Sequence, residues 1–208
     1  MSNPYINAAF RSSRENQVYF FMENKYVRLH YIPGRSDEKI LTDLRLISSG
    51  FPSLSGMPFA EHGIDCSFDT EASEAYVFSD NLCVYIDYAP GTINGPYTIS
   101  EMFPALNNTV FENGIDSGFR STTGKQIYLF KGTKYARISY DSKQFVGSIR
   151  KITEGFRVLR GATDDTFVGY IKPILEGWPS LRGLIPERKR IEFTVKMRST
   201  PKYGFLGE

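Results

Sequence analysis

The sequence is poor in the residues that most catalytic and metal centres use. Only two histidines and two cysteines occur in 208 residues. So few histidines leave little material for proton transfer at neutral pH. The cysteines, Cys66 and Cys83, stand in no Cys-x-x-Cys or Cys/His spacing, which excludes a zinc finger or ribbon. They are expected to be two buried free thiols, with a bridge inside one repeat as the alternative. Gly-x-Ser-x-Gly, His-Glu-x-x-His and phosphate-loop phrases are missing, so no catalytic residue is assigned and no enzyme is expected. No apolar run approaches the roughly 18 residues of a spanning helix, so no membrane partner is expected. Met1-Ser2-Asn3-Pro4-Tyr5 has neither a basic nor an apolar segment, and the expected location is the cytosol. The formal charge of +2 is close to neutral and speaks against a nucleic-acid surface. It is unevenly spread. Residues 187–208 hold six Lys/Arg against three Glu, a net of +3, which leaves −1 for the rest.

What is present is repetition. The phrase Gly50-Phe51-Pro52-Ser53-Leu54 returns as Met102-Phe103-Pro104-Ala105-Leu106, as Gly155-Phe156-Arg157-Val158-Leu159 and as Gly177-Trp178-Pro179-Ser180-Leu181. The phrase Ile6-Asn7-Ala8-Ala9-Phe10 returns as Ile64-Asp65-Cys66-Ser67-Phe68 and Ile115-Asp116-Ser117-Gly118-Phe119, then stops. Four closers therefore face three openers. The closing aromatics lie 52, 53 and then only 22 residues apart. Roughly 30 residues of a fourth repeat are missing.

Each complete unit carries a 15-residue block, Gln17 to Tyr31, Glu74 to Tyr88 and Gln126 to Tyr140. Apolar residues recur at every second position, and turn residues split each block at Glu23-Asn24, Asp80-Asn81 and Lys131-Gly132-Thr133. This pattern predicts a β-hairpin with one buried face. A short apolar strand precedes it, and a more helical stretch leads to each closer. Units of about 50 residues with three or four antiparallel strands predict a small β-propeller, with a β-sandwich as the rival architecture. The opener strands would face the central channel, where crowding favours the small pairs Ala8-Ala9, Cys66-Ser67 and Ser117-Gly118.

The openers, with Glu74-Ala75-Tyr76 and Tyr128-Leu129-Phe130-Lys131-Gly132, resemble the hemopexin repeat. More narrowly, Tyr5 to Ser13, Gly63 to Thr70, Thr109 to Asp116 and Trp178 to Gly183 resemble the albumin-2 family of legume seeds. The resemblance implies an all-β fold, a four-bladed hemopexin-type propeller over residues 1–186, with blades at about 4–60, 61–112 and 113–160. The partial fourth blade, 161–186, lacks its first strand and hairpin. It implies a non-enzymatic seed albumin of the seed-cell cytosol that binds channel ions, a polyamine such as spermine, and heme. A link to polyamine metabolism or oxidative stress follows, with a homodimer in the polyamine-binding state. The rival function is a nitrogen store with no specific ligand.

By the same resemblance, Asn7, Asp65 and Asp116 offer main-chain oxygen to a calcium-like ion. Ala9, Ser67 and Gly118 form a second ring for sodium or chloride. Asp65 and Asp116 have a purely structural alternative, which is to fix the starts of the blades. Asp69 and Glu112 are candidate polyamine contacts, together with Asp116. His62, two residues before the second opener, is the candidate heme ligand, and His30 lies within a hairpin strand.

The basic segment 187–208 has no counterpart in the family. Ile191, Phe193, Val195 and Met197 alternate with polar residues, as in a strand that could pair with an exposed blade edge. A disordered extension is the alternative. Amide hydrogen exchange over 191–197 separates them: slowed exchange is expected of a paired strand, and free-peptide rates would leave only the extension.

Overall fold

A computed structural model of the chain describes residues 6–32, 35 and 37–157. Three antiparallel sheets follow one another along it. The first holds β1 (Ala8–Arg11), β2 (Gln17–Met22) and β3 (Lys25–His30), with the short β4 (Lys39–Ile40) and β5 (Arg45–Leu46) both on β3. The second runs β6 (Cys66–Asp69), β7 (Glu74–Ser79), β8 (Leu82–Asp87) and β9 (Thr92–Thr98). The third runs β10 (Ser117–Arg120), β11 (Gln126–Lys131), β12 (Lys134–Ser139) and β13 (Arg150–Lys151). The first strand of each sheet lies beside that of the next, β1 on β6 and β6 on β10. This is how propeller blades stand around an axis. The expected partial blade 161–186 and the tail 187–208 fall outside the described residues.

The repeats superpose in register as well as in sequence. Ala8 pairs with Phe21, Cys66 with Phe78 and Ser117 with Phe130. Each central hairpin turns through two residues, and the first of them takes the left-handed conformation: Glu23, Asp80 and Gly132 have φ of 52°, 49° and 55°. The helical stretches are single turns, α1 (Ile47–Gly50), α2 (Pro58–Glu61), α3 (Ile99–Met102) and α4 (Ile152–Gly155). Pro52 and Pro104 then open 3-10 turns, where a residue without an N–H leaves no bond unmade.

Each blade has two unlike faces. One is aromatic: Phe10, Tyr19, Phe21 and Phe51 in the first, Phe68, Tyr76, Phe78 and Phe103 in the second, Phe119, Tyr128, Phe130 and Phe156 in the third. The leading ring pairs are near-identical, with centroids 5.0, 5.1 and 5.1 Å apart. The other face is mainly aliphatic, and it packs on the aromatic face of the blade before. Ala75, Val77, Val84 and Ile86 cover the first aromatic cluster, and Ile127, Leu129, Ala136 and Ile138 cover the second. Phe10 and Phe68 are consequently 3% and 1% exposed, whereas Phe119 is 46% exposed. Cys66 and Cys83 are buried and unbridged in the second core, and burial pushes both thiols far above their ordinary pKa.

A size exchange between repeats shows how tightly these interfaces fit. A Cβ added to Gly50 would overlap the hydroxyl end of Tyr26, and one on Gly155 the hydroxyl end of Tyr135. In the second blade the position equivalent to the tyrosine is Cys83, and the position equivalent to the glycine is Met102, which packs against the cluster containing Cys83. Large with small in the first and third blades becomes small with large in the second. Gly50→Met is therefore expected to destabilise the fold by roughly 1–3 kcal/mol through overpacking. Adding Tyr26→Cys should recover most of that loss. A urea-melting double-mutant cycle reads the coupling, and additive losses would refute it.

Candidate functional site at the channel mouth

The three opener residues make the same hydrogen bond in every blade. Asn7 Oδ1 accepts from the Glu23 N–H at 2.9 Å, Asp65 Oδ2 from the Asp80 N–H at 2.8 Å, and Asp116 Oδ2 from the Gly132 N–H at 2.7 Å. Each side chain thus caps the turn of its own hairpin, as a short oxygen-bearing side chain does at turns. Their backbone N–H groups are also engaged, donating to Phe21, Phe78 and Phe130 carbonyls at 2.8, 2.9 and 2.9 Å. Their carbonyl oxygens accept no hydrogen bond from any described residue. The structural role expected as an alternative for Asp65 and Asp116 is therefore real, and it leaves the main-chain oxygens unused.

All three openers line one small cavity of about 30 Å³, together with Asp80, Asn113, Gly114, Ile115 and Lys131. That leaves room for an ordered water or a small ion. Lys131 Nζ stands 3.2 Å from Asp116 Oδ1, and the Asp116 side chain is only 4% exposed. Among the described residues no three His, Cys, Asp or Glu side chains converge as a metal-binding group. A hard cation in this cavity would rest on carbonyl oxygens and water, a donor set that calcium accepts.

The second expected ring lies one step further along the same strands. Ala9 is half-buried, and Ser67 is 3% exposed, with its Oγ lacking a hydrogen-bond partner. Gly118 is small for a packing reason. A Cβ there would sit 3.0 Å from Leu129 Cδ2 and 3.2 Å from Cys66 Sγ.

The remaining expected site residues lie elsewhere. Asp69 ends β6 at the opposite end of the channel strands. There its Oδ2 faces Arg11 Nη2 at 3.0 Å and Arg120 Nε at 3.5 Å. The hydrogen bond to Asp69 raises the Arg11 pKa. Arg120 also donates to the Thr70 carbonyl. Glu112 is half-buried, and its Oε2 accepts from the Asn108 N–H at 3.0 Å, closing a turn. His62 is exposed at the end of α2 and lines neither the channel-mouth cavity nor the larger depression beside Arg11 and Arg120. His30 is half-buried in β3, paired with Gln17. Sequence reasoning overlooked Asp80, Lys131, Arg11 and Arg120. A signal existed, because Arg11, Asp69 and Arg120 occupy one repeat position, as do Met22, Ser79 and Lys131.

Known proteins match the chain in sequence and in fold. Residues 6–56 match the hemopexin family model. Albumin-2 of Lathyrus sativus is 50% identical over 162 residues, covering 75% of this chain and 71% of that protein. A hemopexin-fold protein of cow pea, CP4, superposes with a TM-score of 0.82 at 59% identity, covering 88% of this chain and 99% of that one. A plant lectin with two metal binding sites from Cicer arietinum superposes with a TM-score of 0.78 at 44% identity, covering 88% of this chain and 99% of that one. With three blades in register, capped alike and matched along most of their length, the chain belongs to the albumin-2 family of legume seed proteins and takes the hemopexin fold.

Proposed function

We propose that this seed albumin is a non-enzymatic binding protein whose channel mouth holds one hard cation, with calcium the best match to its donors. One observation carries this reading. Three carbonyl oxygens that accept no hydrogen bond from any described residue, those of the half-buried Asn7, Asp65 and Asp116, belong to residues that line one small cavity. An ion with its waters would satisfy them. The two metal binding sites of the Cicer arietinum lectin support the reading. The buried, partnerless Ser67 Oγ supports a second ion, sodium or chloride, further along the channel beside Ala9 and Gly118.

A polyamine is the second ligand class. One ammonium of spermine would enter the same mouth beside Asp65, which pairs with no cation among the described residues, whereas Asp69 already faces Arg11 and Arg120. Heme rests on His62 alone, which is exposed and could ligate iron only at the surface. The competing reading is a nitrogen store, favoured by the seed albumins among the relatives.

Calorimetry on the chelator-stripped protein is expected to show saturable calcium binding near one ion per chain. At a hundredfold excess over Kd the melting temperature should rise by about 5–10 °C. Asp65→Ala, which removes cap and charge, should weaken binding more than Asp65→Asn, which keeps an acceptor for the Asp80 N–H. No saturable binding and an unmoved melting temperature would leave the storage reading. Spermine should compete with calcium for the mouth, and independent binding of the two would place the polyamine elsewhere. An unchanged Soret band on hemin titration would remove heme.

A further inference from the structure

We propose that Lys131 sets the charge selectivity of the channel mouth, holding it against divalent ions relative to monovalent ones. This rests on the cation reading above. The three blades carry different residues at the position just before the hairpin turn. The first has Met22 and the second Ser79, both buried and uncharged. The third has Lys131, whose ammonium reaches back to the Asp116 carboxylate at 3.2 Å and forms part of the cavity wall. Asp116 therefore differs from its counterparts. One oxygen caps the Gly132 N–H, and the other faces a fixed positive charge. Asn7 has no charge to offset, and no cation of the described residues pairs with Asp65.

Lys131 lines this small cavity, so an ion inside it stands close to a fixed positive charge. Repulsion between them scales with the charge of the ion. Whatever factor Lys131 removes from monovalent affinity, it removes the square of that factor from divalent affinity. Lys131 also neutralises a nearly buried carboxylate, so its loss makes Asp116 more available to an incoming cation. Both effects act in one direction.

Lys131→Met installs the residue that the first blade already carries. In the full-length, chelator-stripped protein it should raise calcium affinity about tenfold and sodium affinity about threefold, by calorimetry in a choline chloride background. Lys131→Arg keeps the charge and should keep the wild-type ratio of calcium to sodium affinity. A purely structural lysine would lower the melting temperature of the metal-free variant without moving that ratio. Equal calcium binding by wild type and Lys131→Met would overturn the role of Lys131 and leave the cation site standing. Absence of binding in both proteins would overturn the two readings together.

Discussion

Everything at the channel mouth depends on one side-chain-to-backbone hydrogen bond per blade. The residue before each first strand reaches the N–H of the first turn residue of the central hairpin, at 2.7–2.9 Å in all three cases. Asparagine and aspartate have the short reach and the oxygen that this needs. Bonds of this kind stabilise by about 1–3 kcal/mol, the charged ones more than the neutral one. The bond also decides what remains free. With side chain and N–H committed, the carbonyl is the polar group left over. The turn it fixes serves the next blade too. Gly63 and Gly114, at φ of 105° and 123°, pass so close to Glu23 and Asp80 that a Cβ would lie 2.5 and 3.1 Å from their carbonyl oxygens. A capped turn in one blade is the seat for the opener of the following one.

The far ends of the same strands are tied by a different device. Arg11, Asp69 and Arg120 are the last residues of β1, β6 and β10, and one carboxylate bridges both guanidiniums. The channel strands are thus held by neutral and anionic caps at one mouth and by an alternating charge bridge at the other. Asp69 has two positive partners and is 16% exposed, so its first role is to join three blades. The carboxylates with a claim on a passing cation are at the opposite mouth, where Lys131 is the cation that moderates them.

Hairpins and register were legible in the sequence because period-two alternation and repeated phrases report burial directly. Tyr19, Tyr76 and Tyr128 pair with Phe10, Phe68 and Phe119 at one register position, as the aligned blocks require. The opener residues were legible as a set, since Asn7, Asp65 and Asp116 fall at one repeat position. Their double duty was not, because a sequence does not say which polar group of a residue a turn will take. Lys131 and the Arg11–Asp69–Arg120 bridge escaped notice for a related reason. They are places where the repeats differ, so identity between repeats does not mark them. The exchange of Tyr26 with Gly50 for Cys83 with Met102 was hidden in the same way, since only packing reveals that two varying positions fill one space.

The repeat is directional, and that gives physical content to the unequal count of openers and closers. Every described blade offers an aromatic face to its successor and a mainly aliphatic one to its predecessor. Val18, Phe20, Val27 and Leu29 form that second face in the first blade, and they are between 0% and 7% exposed. The aromatic face of the third blade is different. Phe119 is stacked on Tyr128 and Phe130, yet nearly half of it meets solvent. Phe10 and Phe68 owe their burial to the hairpin of the blade that follows. The sequence carries no further copy of the opener and hairpin block after Arg160. By the repeat logic, a fourth copy would bring an aliphatic face over Phe119 and a fourth opener oxygen to the channel mouth. On the cation reading, an ion on the three described carbonyls would draw the rest of its shell from other donors or water, so cation affinity and the cover of Phe119 would depend on the same sector of the ring.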